Sequence, residues 1–271
     1  ALSFADSKFV VKIAPPPEVT VLRYEHDMMA AEVGAMREVR RRTSLPVPEV
    51  VAFDQTREET SSDYFLAACA PGSPLHRVRD NLSTEAQAFV DEQIAGYLIE
   101  LHDIKGVAFG TYNRPVHSTW KEAFGAFLED LGKDRRDRDV QLPLGAFEVA
   151  EPHMDALDEV RVPSLIHWDL WDPNVFVDDD NRITGVIDFE RAMWADPLME
   201  WNFHTPSKTL LDAYGRSIME SPGSKSRRGL YDLYLGLIMV IETTYRGYDS
   251  AHEKMSRDFL DASIAVLARS S

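Results

Sequence analysis

Short apolar, β-rich runs separated by proline and glycine breaks occupy the first seventy positions, and apolar residues recur at helical spacing after that. Phe9-Val10-Val11-Lys12-Ile13 reads as a strand stopped by Pro15-Pro16-Pro17, because proline neither donates to a ladder nor continues a helix. Between residues 22 and 42, Met28, Ala31, Ala35 and Val39 fall on one stripe, which predicts a helix. Leu45-Pro46-Val47-Pro48-Glu49-Val50-Val51 is an extended segment leading into a second strand, and Asp63 to Ala68 form a third. The break Pro71-Gly72-Ser73-Pro74 marks the expected boundary. Residues 1–69 are expected to form a small mixed unit, and residues 70–271 a larger, mainly helical one.

Ala86, Val90, Ile94, Tyr97, Leu98 and Leu101 mark one face of a helix from about Ser83 to His102, with Thr84 and Gln87 at capping-box spacing. Gly132 to Asp139 is a mixed-charge stretch expected to be a loop or helix end. Leu230 to Val240 and Phe259 to Leu267 are apolar helical runs.

The chain has 271 residues, 44% of them hydrophobic, enough for a substantial core. No stretch approaches the roughly 20 consecutive apolar residues that cross a bilayer. Ala1-Leu2-Ser3-Phe4 lacks the basic and apolar regions of a secretion signal, and the single cysteine, Cys69, suits a reducing compartment, so a cytoplasmic protein is expected. A formal charge of -16 disfavours nucleic acid and anionic membranes as partners and favours cationic ligands wherever carboxylates line a cleft.

The chemistry concentrates between residues 164 and 197. Apolar Leu165-Ile166 leads into His167-Trp168-Asp169-Leu170-Trp171-Asp172-Pro173-Asn174, then the strand Val175-Phe176-Val177, the turn Asp178 to Asn181, and the strand Ile183-Thr184-Gly185-Val186-Ile187 ending at Asp188-Phe189. Pairing about a turn near Asp179 and Asp180 sets Asn174 opposite Ile187 or Asp188. The Asn174 amide and the Asp188 carboxylate then share the open end, next to Asp169. Such hard oxygen donors suit Mg2+, which takes its other ligands from water and phosphate. Asp169 is placed to orient and deprotonate a hydroxyl in phosphoryl transfer, a reaction that needs mainly positioning and charge neutralisation. Asp178, Asp179, Asp180 and Asn181 are explained by the turn itself.

This segment resembles the catalytic and metal-binding loops of the aminoglycoside phosphotransferases and of the related choline and homoserine kinases. The resemblance runs from Phe9 to about Pro197. It implies an α+β, bilobal protein-kinase-like fold, with a small antiparallel-sheet N-lobe and a larger, mainly helical C-lobe. By the same resemblance Asp169 is the catalytic base, Asn174 and Asp188 bind Mg2+, and His167 supports the loop. Asp188-Phe189-Glu190 stands where protein kinases carry Asp-Phe-Gly, and Asp196-Pro197 is similar to a structural element of the family. Trp168 departs from the small residue usual between the His and the Asp.

The resemblance also implies a phosphate-binding lysine, matched by Lys12, and a glutamate to hold it, matched by Glu32 with Glu25 as competitor. Phe65 to Gly72 resembles the interlobe hinge, with Ala68 and Ala70 expected to offer backbone groups to the nucleotide base. The strand and phosphate-covering loop usual before the lysine strand are expected to be largely missing. ATP or GTP is the implied co-substrate, and the acceptor a small molecule, cationic in an aminoglycoside-like enzyme. Asp172, Glu190, Arg191 and Glu200 are the candidate acceptor contacts, with Glu242 and Asp249 beside them. Trp168, Trp171, Trp194, Trp201 and Phe203 are mainly packing, one or two of them walling the pocket. Cyclic peptides, macrolides and metabolites such as choline stay open as acceptors.

Rival readings use the same residues. A kinase-shaped module without catalysis would lack one of Asp169, Asn174 or Asp188. A metal-dependent hydrolase built on His167, Asp169 and Asp188 would bring more ligands than His204. A protein kinase would carry a closing Ala-Pro-Glu, and none is present.

Overall fold

The computed structural model describes residues 2–4, 7–202 and 206–269, so Phe203 and His204 lie outside the described residues. Strands β1 (Leu2–Phe4), β2 (Ser7–Ile13), β3 (Val50–Asp54) and β4 (Tyr64–Ala68) form one antiparallel sheet in the order β1-β2-β4-β3. A strand was expected to be largely missing before the lysine strand. Leu2–Phe4 supplies one, pairing Leu2 with Phe9. In central β4 the burial alternates, with Phe65 and Ala67 inward, as a sheet covered on one face requires. The cover is helix α1 (Met28–Arg42), which buries Met29, Val33, Met36 and Val39 and ends on Arg40, Arg41 and Arg42, cations that suit the negative end of the helix dipole.

Strand β5 (Ser73–Pro74) pairs not with this sheet but with the hairpin at residues 175–186. Gly72 makes the approach feasible: at φ +85° it sits where a Cβ would lie 2.1 Å from the Val177 carbonyl oxygen. Helix α2 (Thr84–His102) follows with the span the sequence predicts, but its cap is Ser83, whose hydroxyl accepts from Ala86 N at 3.2 Å. Gln87 does not complete a capping box, since its amide donates to the carbonyls of Arg79 and Leu82.

Strands β6 (Phe109–Thr111) and β7 (Arg114–His117) lead to helix α3 (Trp120–Asp137), which opens with a capping box between Thr119 and Glu122. The mixed-charge stretch from Gly132 is therefore mostly helix, and Asp134 within it is buried against Arg23. Strands β8 (Ser164–Ile166), β9 (Val175–Val177), β10 (Ile183–Val186) and β11 (Met193–Ala195) complete two further sheets, ordered β10-β9-β5 and β7-β6-β11-β8. Short helices α4 (Lys208–Tyr214) and α5 (Ser217–Glu220) precede α6 (Ser224–Arg246) and α7 (Ser250–Ala268).

Helix α6 is the spine of the helical part. Leu230, Tyr231, Leu233, Tyr234, Leu237, Ile238 and Ile241 are buried almost completely, burial all round that marks a core helix. Asp196 is a structural residue here, accepting from Arg227 Nε at 2.9 Å and from the Tyr231 hydroxyl at 2.7 Å. The fold is thus α+β, with small antiparallel sheets and a larger, mainly helical part. No helix among the described residues is long and apolar enough to cross a membrane.

Candidate active site

The β9–β10 hairpin closes as its sequence dictates. Asp178 Oδ1 accepts from the main-chain amides of Asp180 and Arg182 at 3.0 and 2.9 Å, the local bonding that makes aspartate a turn former. Val175 then faces Val186, and the Ile187 amide donates to the Asn174 carbonyl at 3.0 Å. Asn174 and Asp188 end at the open end of the hairpin together. The Asn174 side-chain NH2 donates to the Asp169 carbonyl at 2.9 Å and to its carboxylate at 3.3 Å, which leaves the amide oxygen as the group to offer a ligand.

His167 joins the two halves of the site. Its Nε2 lies 2.9 Å from the Ile187 carbonyl and must carry the proton, so Nδ1 accepts from the Asp169 amide at 3.2 Å. Full burial pushes the His167 pKa down, consistent with this neutral tautomer. Beneath the loop, Glu200 takes the main-chain amides of His167 at 2.8 Å and Trp168 at 2.9 Å on its two oxygens, with His102 Nε2 at 3.3 Å. Burial opposes its charge, but His102 and His167 outweigh it and hold the Glu200 pKa below the usual range.

Asp169 is lifted to a pKa of about 7 by burial, against the pull of Arg191 and with a push from Asp188 and Glu190. A carboxylate poised near neutrality is suited to general base work. Across the cleft, Lys12 Nζ meets Glu32 at 2.7 Å, Asp188 at 2.5 Å and Glu190 at 2.9 Å. Burial disfavours its charge, yet the three carboxylates outweigh that and raise the Lys12 pKa. Glu32 is raised to about 7, chiefly by burial. Glu25, the competing partner, accepts from the Leu22 amide and pairs with Arg246 instead.

Carboxylate oxygens of Glu32, Asp188 and Glu190 lie within 4.8 Å of one another. They form an all-oxygen donor set that fits a hard divalent cation, and Asn174 lies at the same end of the hairpin as Asp188. Next to it, a cleft of about 400 Å³ runs between β2, β4 and the hairpin, with Val11, Ala68, Ala70, Phe176 and Ile187 on its walls. The Ala68 amide donates to Glu49 and the Cys69 amide to Lys8. Ala68 therefore offers only its carbonyl, and Ala70 is the residue whose amide has no main-chain partner among the described residues. Gly185 lets this segment sit close, since a Cβ there would come 2.5 Å from Ala70 Cβ.

The expected acceptor contacts divide. Glu190 is open, its side chain 29% exposed. Asp172 is partly exposed but paired with Arg79 at 2.6 Å. Arg191 is largely enclosed, 3.9 Å from Glu242, which also faces Arg246 at 3.4 Å. Glu200 was expected to touch the acceptor, but it is 1% exposed and fully engaged in holding the catalytic loop from below. Asp249 was another candidate, and it caps α7 by accepting from the His252 amide. Trp194 and Trp201 are core residues, whereas Trp171 is exposed. Sequence reasoning gave Arg79 and Tyr24 no role; no motif flags either.

The model of the phosphotransferase enzyme family matches residues 2–214. This chain belongs to that family. Among solved structures, this phosphotransferase is similar to a thermostable mutant of the aminoglycoside phosphotransferase APH(4)-Ia in a ternary complex with AMP-PNP and hygromycin B. That match has 21% identity and a TM-score of 0.69, over 97% of this chain and 88% of that one. It is also similar to the gentamicin complex of APH(2")-IIa, with 18% identity and a TM-score of 0.65 over 96% and 85% of the two chains. A streptomycin–ATP ternary complex of APH(2")-IIa matches at 18% identity and TM-score 0.64, over 99% and 90%. At these identities the likeness establishes the fold.

Proposed function

We propose that this phosphotransferase moves the γ-phosphate of ATP or GTP to a hydroxyl of a small, cationic acceptor, with Asp169 as the base. The observation that carries the reading is the convergence of Asp169, Asn174 and Asp188 at one end of the hairpin, facing Lys12 and Glu32. The base of the nucleotide lies in the cleft against Ala68 and Ala70, and its phosphates reach Lys12. Asn174 and Asp188, with Glu190 within reach, would hold Mg2+, which would supply neutralisation of charge on the transferring phosphate. Asp169, fixed by Asn174 and by its own amide on His167, orients the acceptor hydroxyl and takes its proton. Glu32 holds Lys12 in line.

Room for the acceptor exists beside the loop. A cavity of about 180 Å³ between the turn Arg23–Glu25 and α3 is lined by Tyr24, Phe127, Asp130 and Tyr234. It narrows into a crevice bounded by Trp168, Glu190 and Arg191. Carboxylates and cations share this path, with Asp130 paired to Lys133 at 2.9 Å and Arg23 and Arg114 also on the wall, so the choice of a cationic acceptor, such as an aminoglycoside or another amine-bearing antibiotic or metabolite, rests on the resemblance to the aminoglycoside enzymes. The cytoplasm is the compartment proposed for it, as its single cysteine suits a reducing environment.

The test is nucleoside diphosphate release from Mg-ATP and Mg-GTP against a panel of amine-bearing antibiotics and metabolites, for the parent and for Asp169→Ala. Acceptor-dependent release that falls by about 10³-fold or more in the variant is expected, the scale of a lost base together with the positioning it provides. Equal rates in the two proteins would remove Asp169 from the reaction, and turnover indifferent to every acceptor would point to a hydrolase.

A further inference from the structure

Trp168 is the residue that departs from the family pattern, and it is the one aromatic among the non-glycine residues with positive φ in the described residues. It has φ +58°, in the left-handed region that bulky side chains avoid, yet its side chain is wholly buried. Such outliers persist where the surroundings over-determine them, and they cluster at working sites. The surroundings here are specific. Its amide is held by Glu200. Its indole stacks on Tyr234 of α6, with centroids 5.5 Å apart and planes inclined by 23°. The Arg191 guanidinium lies over the same indole, 5.7 Å from the ring centroid, and over the Tyr24 ring at the same distance.

Arg191 belongs to the turn Phe189–Arg191 that follows Asp188, so it comes from the far side of the hairpin to meet the loop carrying Asp169. A cation within about 6 Å of an aromatic face is attracted to it, most strongly when both are desolvated. Both conditions hold, and two rings act on one guanidinium. Arg191 is also the cation with the largest effect on Asp169. A leucine in place of Trp168 would fill much of the volume but present no such face.

We infer that Trp168 is a positioning residue: its indole, with Tyr24, fixes the Arg191 guanidinium against the loop that carries Asp169 and so sets the alignment of that loop. The inference rests on Asp169 being the base. It assigns a purpose to a side chain that otherwise only fills space.

The test reads Mg-ATP turnover with water as the acceptor, which needs no identified partner, together with the thermal midpoint of each variant. Trp168→Leu is expected to lower kcat by about 10- to 30-fold, with the KM for ATP within about twofold of the parent, and Trp168→Phe to restore kcat to within about threefold. Adding Trp168→Leu to Arg191→Gln should cost little beyond Arg191→Gln alone, because both remove one coupled unit. If Trp168→Leu does not fold, Tyr24→Leu against Tyr24→Phe asks the same question from the other ring. Leucine and phenylalanine variants with equal kcat, or fully multiplicative effects in the double variant, overturn the inference while Asp169→Ala stays inactive. Full turnover in Asp169→Ala overturns the base assignment and this inference with it.

Discussion

Glu200 and Glu190 are both carboxylates placed around the catalytic loop, and the protein uses them in opposite ways. Glu200 is 1% exposed, and its two oxygens each receive a main-chain amide of the loop. Glu190 is 29% exposed and shares the Lys12 ammonium with two other carboxylates. The first arrangement is complete before any ligand arrives. The second gathers more negative charge than one ammonium balances, a surplus that suits a hard divalent cation. One carboxylate is satisfied within the protein and the other is open to a ligand, and burial rather than residue type separates them.

Breaking the scaffold should have the largest effect. Glu200→Ala leaves the amides of His167 and Trp168 buried without an acceptor, each at a cost of about 1–3 kcal/mol, for a total of about 2–6 kcal/mol. Urea unfolding should show this as a lower midpoint with little change in slope. A loss below about 1 kcal/mol would mean that the loop holds its shape without Glu200.

The pH profile comes next, because Asp169 lies between the two arrangements. Burial raises its pKa to about 7, Arg191 opposes the rise, and Asp188 and Glu190 add to it. A raised carboxylate is protonated at higher pH than usual, so below about pH 7 the base fraction, and with it kcat/KM, falls about tenfold per unit. Glu32, also near 7, loses its charge in the same window and slackens Lys12, an effect in the same direction. Arg191→Gln removes the opposing cation and should move the acid limb to higher pH. A kcat/KM that stays flat down to pH 5 would contradict a buried base.

What the sequence revealed follows the same division. The hairpin was legible because it is local: the Asp178 carboxylate closes the turn on nearby main-chain amides, and the turn then sets Asn174 opposite Ile187. Lys12 and Glu32 were legible through the resemblance alone, since nothing in a strand lysine announces a phosphate. Glu200 was misread because its role depends on a packing 33 residues away from His167, and Asp249 because a helix cap and an acceptor contact look alike in one dimension. Gly72 did carry a signal, as it sits where the Val177 backbone leaves no space for a Cβ. The left-handed turn at Trp168 was hidden, since no pattern rule places a bulky aromatic there.

The smallest effect expected is also the most discriminating. Glu190→Gln keeps the shape of the side chain and removes one of the three charges on Lys12. Because Glu190 is partly exposed, unfolding should shift by less than about 1 kcal/mol. Its effect on nucleotide should instead depend on the cation. In the presence of EDTA, a unit charge about 6 Å from a phosphate in water-like surroundings is worth about 0.7 kcal/mol, so ADP should bind about threefold more tightly to the variant. With Mg2+ present the sign should reverse, since the lost carboxylate belongs to the donor set around the ion. Calorimetric titrations of ADP with and without Mg2+ read both signs. The same Kd for parent and variant in both titrations would place Glu190 away from the phosphates. It would also leave the acceptor path, rather than the nucleotide, as the reason for an exposed carboxylate at this position.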